Sequence, residues 1–420
     1  MVPKGWSESY LSEVVTYKKG YAFNSSLYAE EGIRIVRISD TTRDSIHSDN
    51  PVFIAGGNVE GLEQYSLFEN DIILSTVGSR PHLLDSMVGK AVKVPRSAHN
   101  SLLNQNLVKL IPKKTKITNE YLFSMLKKKE FIQFISNLVR GNANQVSITL
   151  ADLFKYKFIL PSLPEQKKIA QILSAWDKAI SVTENLLANS QQQKKALMQQ
   201  LLTGKKRLLD ENGVRFNGEW RSGPLGSLVG RIYGGGTPSR ANSGLWGGDI
   251  PWVTVKDLIS PHISSAQEYI NEIGLAESAS NLVLAGTVII ATRMAVGKTV
   301  MASCDVAINQ DLKAICASEN VCSEYIFNWF LSHSEQIAKM GTGSTVKGVQ
   351  VEAIKALTMT IPKAIEEQQK IADVLSTADA EISALEKKLA CLKDEKKALM
   401  QQLLTGKRRV KVDAEEAVSA

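Results

Sequence analysis

Glycines flanked by arginine, lysine, asparagine and hydroxyl residues recur along this chain. In the first half they read "YKKGYAFNSS" (17–26), "TVGSRPH" (76–82) and "VRGNANQ" (139–145); in the second, "RIYGGGTPSRANSG" (231–244), "IATRM" (290–294) and "KMGTGSTVKG" (339–348). Arg, Asn, Gln, Ser and Thr carry the donors and acceptors that read base edges in a DNA groove, while Lys and main-chain amides hold phosphates. Glycine lets a backbone approach such a groove closely. Any one of these loops is most simply a solvated turn, but recurrence at matched places in both halves favours binding. Chosen by loop position and chemistry, the candidates are Lys18, Lys19, Tyr21, Arg80, Asn142 and Asn144 in the first half. In the second they are Tyr233, Thr237, Ser239, Arg240, Arg293 and Lys347.

No pattern for catalysis stands up beside them. "RMAVGKT" (293–299) ends like a phosphate-binding loop, but Thr292 stands where its first glycine belongs and "VMASCDVAI" replaces the helix that must follow. "GGGT" (234–237) lacks the G-x-G-x-x-G spacing and reads as a tight turn or a place of close backbone approach. Neither G-x-S-x-G nor H-E-x-x-H occurs, nor the Asn-Pro-Pro-aromatic tetrad that amino-methyltransferases place around a flipped base. Cys304, Cys316, Cys322 and Cys391 form no CxxC pair and the five histidines are scattered, so no metal site is expected. The net charge of +7 permits a polyanionic partner without demanding one.

The start, "MVPKGWSESY", does not resemble a secretory signal, and the most apolar window, 282–297, is too short to span a bilayer and contains Arg293. A cytoplasmic protein without membrane contact is expected.

The elements that must position these loops announce themselves by repetition. "KKALMQQLLTGKKR" (194–207) returns as "KKALMQQLLTGKRR" (396–409). The likeness runs without a gap from Glu165 to Lys205 and from Glu367 to Lys407, with about 25 of 41 positions identical, which is internal duplication. Ile371, Leu375, Ala378, Ile382, Leu385, Leu389, Leu392, Lys396, Leu399 and Leu403 recur at spacings of four and three, an a/d seam. The first copy keeps it with Ile169, Leu173, Trp176, Ile180, Leu187, Leu197 and Leu201, but sets Thr183 and Ser190 in its middle. Ser162 and Glu165 read as a capping box, and Gly204 and Gly406 as C-terminal caps. Each helix should run roughly 40 residues, about 60 Å, and the two should pair as an antiparallel coiled coil.

The segments ahead of each helix are collinear too. "VGKAV" (88–92) answers "VGKTV" (296–300), "NQNLVKL" (104–110) answers "NQDLKAI" (309–315), and "EYLFSML" (120–126) answers "EYIFNWF" (324–330). Short β-like runs such as "IRIVRI" (33–38), "DIILSTV" (71–77) and "GTVIIAT" (286–292) precede helical stretches near 118–139 and 322–340. Two domains therefore share a scaffold and differ in their variable parts.

Two variable domains, each followed by a "LPSLPEQKKIAQILS…ALMQQLLTGK" helix, resemble the specificity subunits of type I restriction–modification systems, as does "GGTPSRANSGLWGGDIPWVTVKDL" (235–258). "IPKAIEEQQKIA" (361–372) departs from the pattern by an inserted residue and a lost proline. The resemblance implies an α+β fold: two mixed α/β target recognition domains, related by a pseudo-twofold, on two long antiparallel coiled-coil helices. Domain 1 takes 1–160, the first helix 161–205, a linker 206–222, domain 2 212–361, the second helix 362–407, and a disordered tail 408–420. It implies no catalysis and no cofactor in this chain. Each domain would read one half of a bipartite site in double-stranded DNA. Two modification subunits would dock on the helices and methylate adenine with S-adenosylmethionine, and restriction (motor–nuclease) subunits would join. The alternatives are the specificity component of a related methylase–nuclease system, or a coiled-coil scaffold whose β-rich domains bind protein or carbohydrate.

Overall fold

The structure is a computed structural model, and it describes residues 2–42, 45–80, 87–142, 145–341 and 348–412. It divides into two compact units. Unit 1 comprises 1–183 and 388–420, and unit 2 comprises 184–387.

Unit 1 opens with Ser7–Tyr10 paired antiparallel to Lys157–Leu160, the strand that leads into the first long helix. Val15–Lys19, Leu107–Pro112, Ile72–Ser75 and Ala91–Lys93 form an antiparallel sheet in that order. A second sheet contains Ile33–Val36 parallel to Ser101–Leu103. Unit 2 repeats the plan. Trp220–Pro224 pairs with Thr358–Pro362; Ile232–Gly234, Leu312–Ile315, Val288–Ala291 and Thr299–Ala302 lie side by side; and Trp246–Val253 runs parallel to Val306–Ile308. The central strands Ile72–Ser75 and Val288–Ala291 are buried throughout, which is why they read as unbroken apolar runs.

The helical stretch near 322–340 is one helix, Ser323–Met340, whose Tyr325, Trp329 and Phe330 fill the core of unit 2. Its counterpart in unit 1 is two helices, Asn119–Leu126 and Lys129–Leu138. The break falls in a run of lysines, where Lys128 takes an extended backbone, turns inward and donates to the Leu404 carbonyl at 3.2 Å.

Both long helices have 39 residues, Leu163–Leu201 and Ile365–Leu403, about 58 Å each. In unit 1, Ile169 and Leu173 share a core with Leu403 and Leu404; in unit 2, Ile371 and Leu375 share one with Leu201 and Leu202. The entry of each helix thus packs beside the exit of the other, so the helices run antiparallel. Away from those cores Trp176, Ile180, Leu187, Ile382, Leu385 and Leu389 are half-buried. Lys194 pairs with Asp379 at 2.5 Å and Lys396 with Asp177, so these lysines lay their stems on the seam and keep their charges paired. Buried Thr183 donates to its own Ala179 carbonyl at 2.8 Å.

Glu-Gln dyads join each domain to both helices. Gln166 is fully buried; it accepts from Thr118 N–H and donates to the Lys116 and Pro161 carbonyls at 2.9–3.0 Å. Gln368 does the same for Cys322 N–H and the Asn320 and Pro362 carbonyls. The departure at 361–372 is absorbed here, since Gln368 still reaches Pro362 across the inserted residue. Glu165 receives Arg409 (2.7 and 2.9 Å) and Trp6 Nε1 (3.1 Å), and Glu367 receives Arg207. The capping box expected at Ser162 is displaced by this ion pair: the Ser162 hydroxyl donates to the Glu165 carboxylate, whose remaining capacity Arg409 and Trp6 take. Gly204 and Gly406 cap the helices at φ +70° and +69°, Gly204 against the Trp220 ring and Gly406 against Trp6 and Pro3.

The 206–222 linker carries a bridge between Leu209 and Arg215, and its end, Trp220, opens a strand. Arg409 is held by Glu165 and Val410 packs on the core of unit 1, so an ordered tail persists past 408 because it completes that core. Ending the chain at Arg408 should cost about 2 kcal/mol, since it leaves the buried Glu165 carboxylate without its cation. A melting temperature unchanged by the deletion would contradict this.

Candidate nucleic-acid interface

In unit 2 the candidates gather on the edge strand Ile232–Gly234 and the loops beside it. Register places Tyr233 opposite Ala314 and Gly234 opposite Lys313. The Lys313 ammonium donates to the Gln310 carbonyl at 3.1 Å, and Thr237 donates to the Gln310 side chain at 2.7 Å. Arg293 projects from the next loop, 60 % exposed, with its guanidinium 4.0 Å from Asp311. Burial pushes the Lys313 pKa down, and the nearby Arg293 pushes it further. Two cations so close, offset among the described residues by Asp311, favour an anion on this ledge.

Tyr233 donates to the Leu282 carbonyl at 2.8 Å while the Arg231 guanidinium lies 4.1 Å from its ring centre. Burial raises the tyrosine's pKa. Arg240 is clamped by the Glu268 carboxylate and lies 3.9 Å over the Trp246 ring; the ion pair raises the pKa of the arginine and lowers that of the glutamate. Its fork is therefore filled, and a base edge would have to displace Glu268. The Ser239 carbonyl accepts from Trp246 Nε1, and its side chain is exposed.

Unit 1 carries a matching ledge. Lys18 donates to Gln64 and lies 5.1 Å over the Tyr65 ring; Tyr21, 40 % exposed, packs 5.2 Å from Tyr65 and 5.0 Å from Phe23. Lys19 and Arg80 are exposed. Asn142 ends the strand Arg140–Asn142, while Asn144 and Lys347 lie outside the described residues.

The glycines are places of close backbone approach, within the domains themselves. A Cβ on Gly20 would stand 1.9 Å from the Asn104 carbonyl oxygen, one on Gly235 1.8 Å from that of Ile308, and one on Gly236 2.5 Å from the Ala279 side chain. They permit chain crossings inside each domain rather than approach to a ligand. The stretch 293–299 is a turn between two strands, as the failure of the phosphate-loop pattern requires. Arg231, Gln310, Lys313, Tyr65 and Phe23 were missed by sequence reasoning. Arg231 was within reach, two residues from Tyr233 on one strand face; Lys313 needed the register against Gly234.

A family model for the type I restriction modification DNA specificity domain matches this chain twice, over residues 3–189 and 217–393. The chain belongs to that family. It is 25 % identical over 418 residues to a protein described as the MjaX type I restriction enzyme specificity subunit of Methanocaldococcus jannaschii, spanning 98 % of this chain and 95 % of that one. It is 31 % identical over 228 residues to the EcoR124I/EcoR124II specificity subunit of Escherichia coli, about half of each chain. Among solved structures, the type I restriction–modification S subunit from M. genitalium superposes with a TM-score of 0.60 at 13 % identity, covering 95 % of this chain and 96 % of that one. A chain from a structure of the assembling type I restriction–modification system gives 0.55 at 19 % identity, covering 96 % and 98 %. These likenesses place the two-domain, two-helix architecture within the type I specificity fold. Among the described residues no helix is long and apolar enough to cross a membrane.

Proposed function

We propose that this specificity subunit reads a bipartite double-stranded DNA target, one half-site per unit, and presents two equivalent docking sites to adenine modification subunits. It is not itself catalytic; methyl transfer from S-adenosylmethionine belongs to the modification subunits, and restriction subunits complete the assembly. The observation that carries this reading is one scaffold built twice, with differing loops on the ledges and near-identical helix exits. A fixed separator between two reading surfaces suits half-sites about one helical turn apart, ~34 Å.

The helix exits support docking in a specific way. Exposed Lys195, Ala196, Gln199, Gln200 and Lys205 are repeated as exposed Lys397, Ala398, Gln401, Gln402 and Lys407. A few residues earlier, exposed positions differ: Asn189 against Cys391, Gln191 against Lys393, Gln192 against Asp394 and Gln193 against Glu395. Packing does not constrain solvated side chains, so the unbroken identity of 194–205 with 396–407 fits a surface that meets the same partner twice. K195E should reduce the bound modification subunits from two to one, and the K195E/K397E pair to none, read by native mass spectrometry. Full occupancy in the double variant would rule out this face.

The decisive experiment is single-molecule detection of methyladenine in cells expressing the modification subunit, with and without this chain. A bipartite motif, methylated once in each half and only when the chain is present, is the expected result. No methylation in either culture, with both proteins soluble and co-purifying, would overturn the reading.

A further inference from the structure

Met294 sits in the loop joining Val288–Ala291 to Thr299–Ala302, with φ +61° and 64 % exposed. A single exposed apolar residue is ordinary, but this backbone conformation is not. The other non-glycine residues with positive φ among the described residues are Asn70 and Asn100, a type that tolerates it. Ile259 is more exposed, at 88 %, yet has no positive φ.

The loop is not free to relax. Thr292 N–H and Oγ1 both bond the Asp311 carbonyl, at 2.8 and 3.1 Å, and Val349 N–H bonds the Thr292 carbonyl at 2.9 Å. On the far side Gly297 N–H bonds the Ala291 carbonyl at 2.9 Å, and Gly297 is pressed so closely on the Ser334 carbonyl that a Cβ would stand 2.6 Å from it. Anchored at both ends, the loop holds a long thioether side chain out in solvent, one residue from Arg293, whose guanidinium lies 4.0 Å from Asp311. Glycine or asparagine would hold the same turn at less cost. A methionine in that conformation serves through its side chain, since local strain without a packing return points to function.

We propose that Met294 is a base-reading side chain that makes an apolar contact with the 5-methyl group of a thymine in the half-site read by unit 2. The flanking cations supply the attraction to phosphate and carry no base information, whereas the thymine methyl is the one apolar feature of the major-groove edge. The inference rests on the DNA-reading function proposed above.

The test uses the full chain assembled with its modification subunits and a set of duplexes in which each thymine of the bipartite target is replaced singly by deoxyuridine, which removes only the methyl. One substitution, in one half-site, should weaken binding by the wild-type complex about fourfold, the worth of one buried methyl group. The same substitution should have no effect on M294N, whose melting temperature should equal or exceed that of the wild type. M294G serves as a second variant should asparagine perturb the loop. Three results would overturn the proposal: a wild-type complex indifferent to every deoxyuridine, a sensitivity that survives in both variants, or half-sites that contain no thymine on either strand. A wild-type complex that fails to distinguish its target from scrambled DNA would instead sink the functional reading itself.

Discussion

Adding one heptad to the middle of each long helix, within 181–190 and 383–392, should lengthen the tolerated spacer by about three base pairs and leave both half-sites unchanged. Seven helical residues add about 10 Å, against 3.4 Å per base pair along DNA. A heptad also restores the seam, because seven residues return the a/d positions to nearly the same face. Both helices must change together: in unit 1 the entry of the first packs on the exit of the second, and in unit 2 the order is reversed. A lengthened helix on one side alone would pull its partner out of register and should lower the melting temperature. The check is methyladenine sequencing of cells carrying the matched insertion. A spacer that stays the same would show that the helices do not set it.

The largest loss of stability is expected at Gln166 and Gln368. Each side chain is fully buried and makes three hydrogen bonds to main-chain groups, joining the helix entry to the segment just ahead of the domain's own helix. Alanine at either position leaves one N–H and two carbonyls without their partner, the Pro161 or Pro362 carbonyl in a buried bond and the Lys116 or Asn320 carbonyl in a part-buried one, so Q166A or Q368A should cost roughly 2–4 kcal/mol. For a unit of about 200 residues that corresponds to a fall of about 10 °C in melting temperature. Glutamate should rescue neither, because a carboxylate cannot donate to the two carbonyls the amide serves. A fall of less than 2 °C would mean that water takes over the amide's bonds.

Much of this organisation was legible in the residues. Duplication disclosed the two helices and a length of roughly 40 residues, against 39 in each, because an a/d seam is a local pattern along the chain. Gly204 and Gly406 could be read as caps because only a residue without Cβ ends a helix cheaply in the left-handed region. The short strands and the family resemblance were legible for the same reason: alternation, apolar runs and motif spacing lie within short windows.

What the sequence left open depended on groups far apart in the chain. Glu165 read as a capping residue, and only folding brought Arg409, 244 residues away, to its carboxylate. Arg240 read as a DNA-contacting candidate, but Glu268, from the strand Glu268–Ile270, fills its guanidinium. Gly20 and Gly235 read as places where a backbone can come close, and only the fold shows that the carbonyls of Asn104 and Ile308 are what approach. Lys313 was passed over because its place opposite Gly234 is a property of strand register, and Met294 because a backbone angle leaves no trace in residue type. Periodicity and capping act between residues a few places apart and so survive in the linear text. Ion pairing, close crossings and register act across the fold, so the tertiary structure alone assigned these side chains their partners.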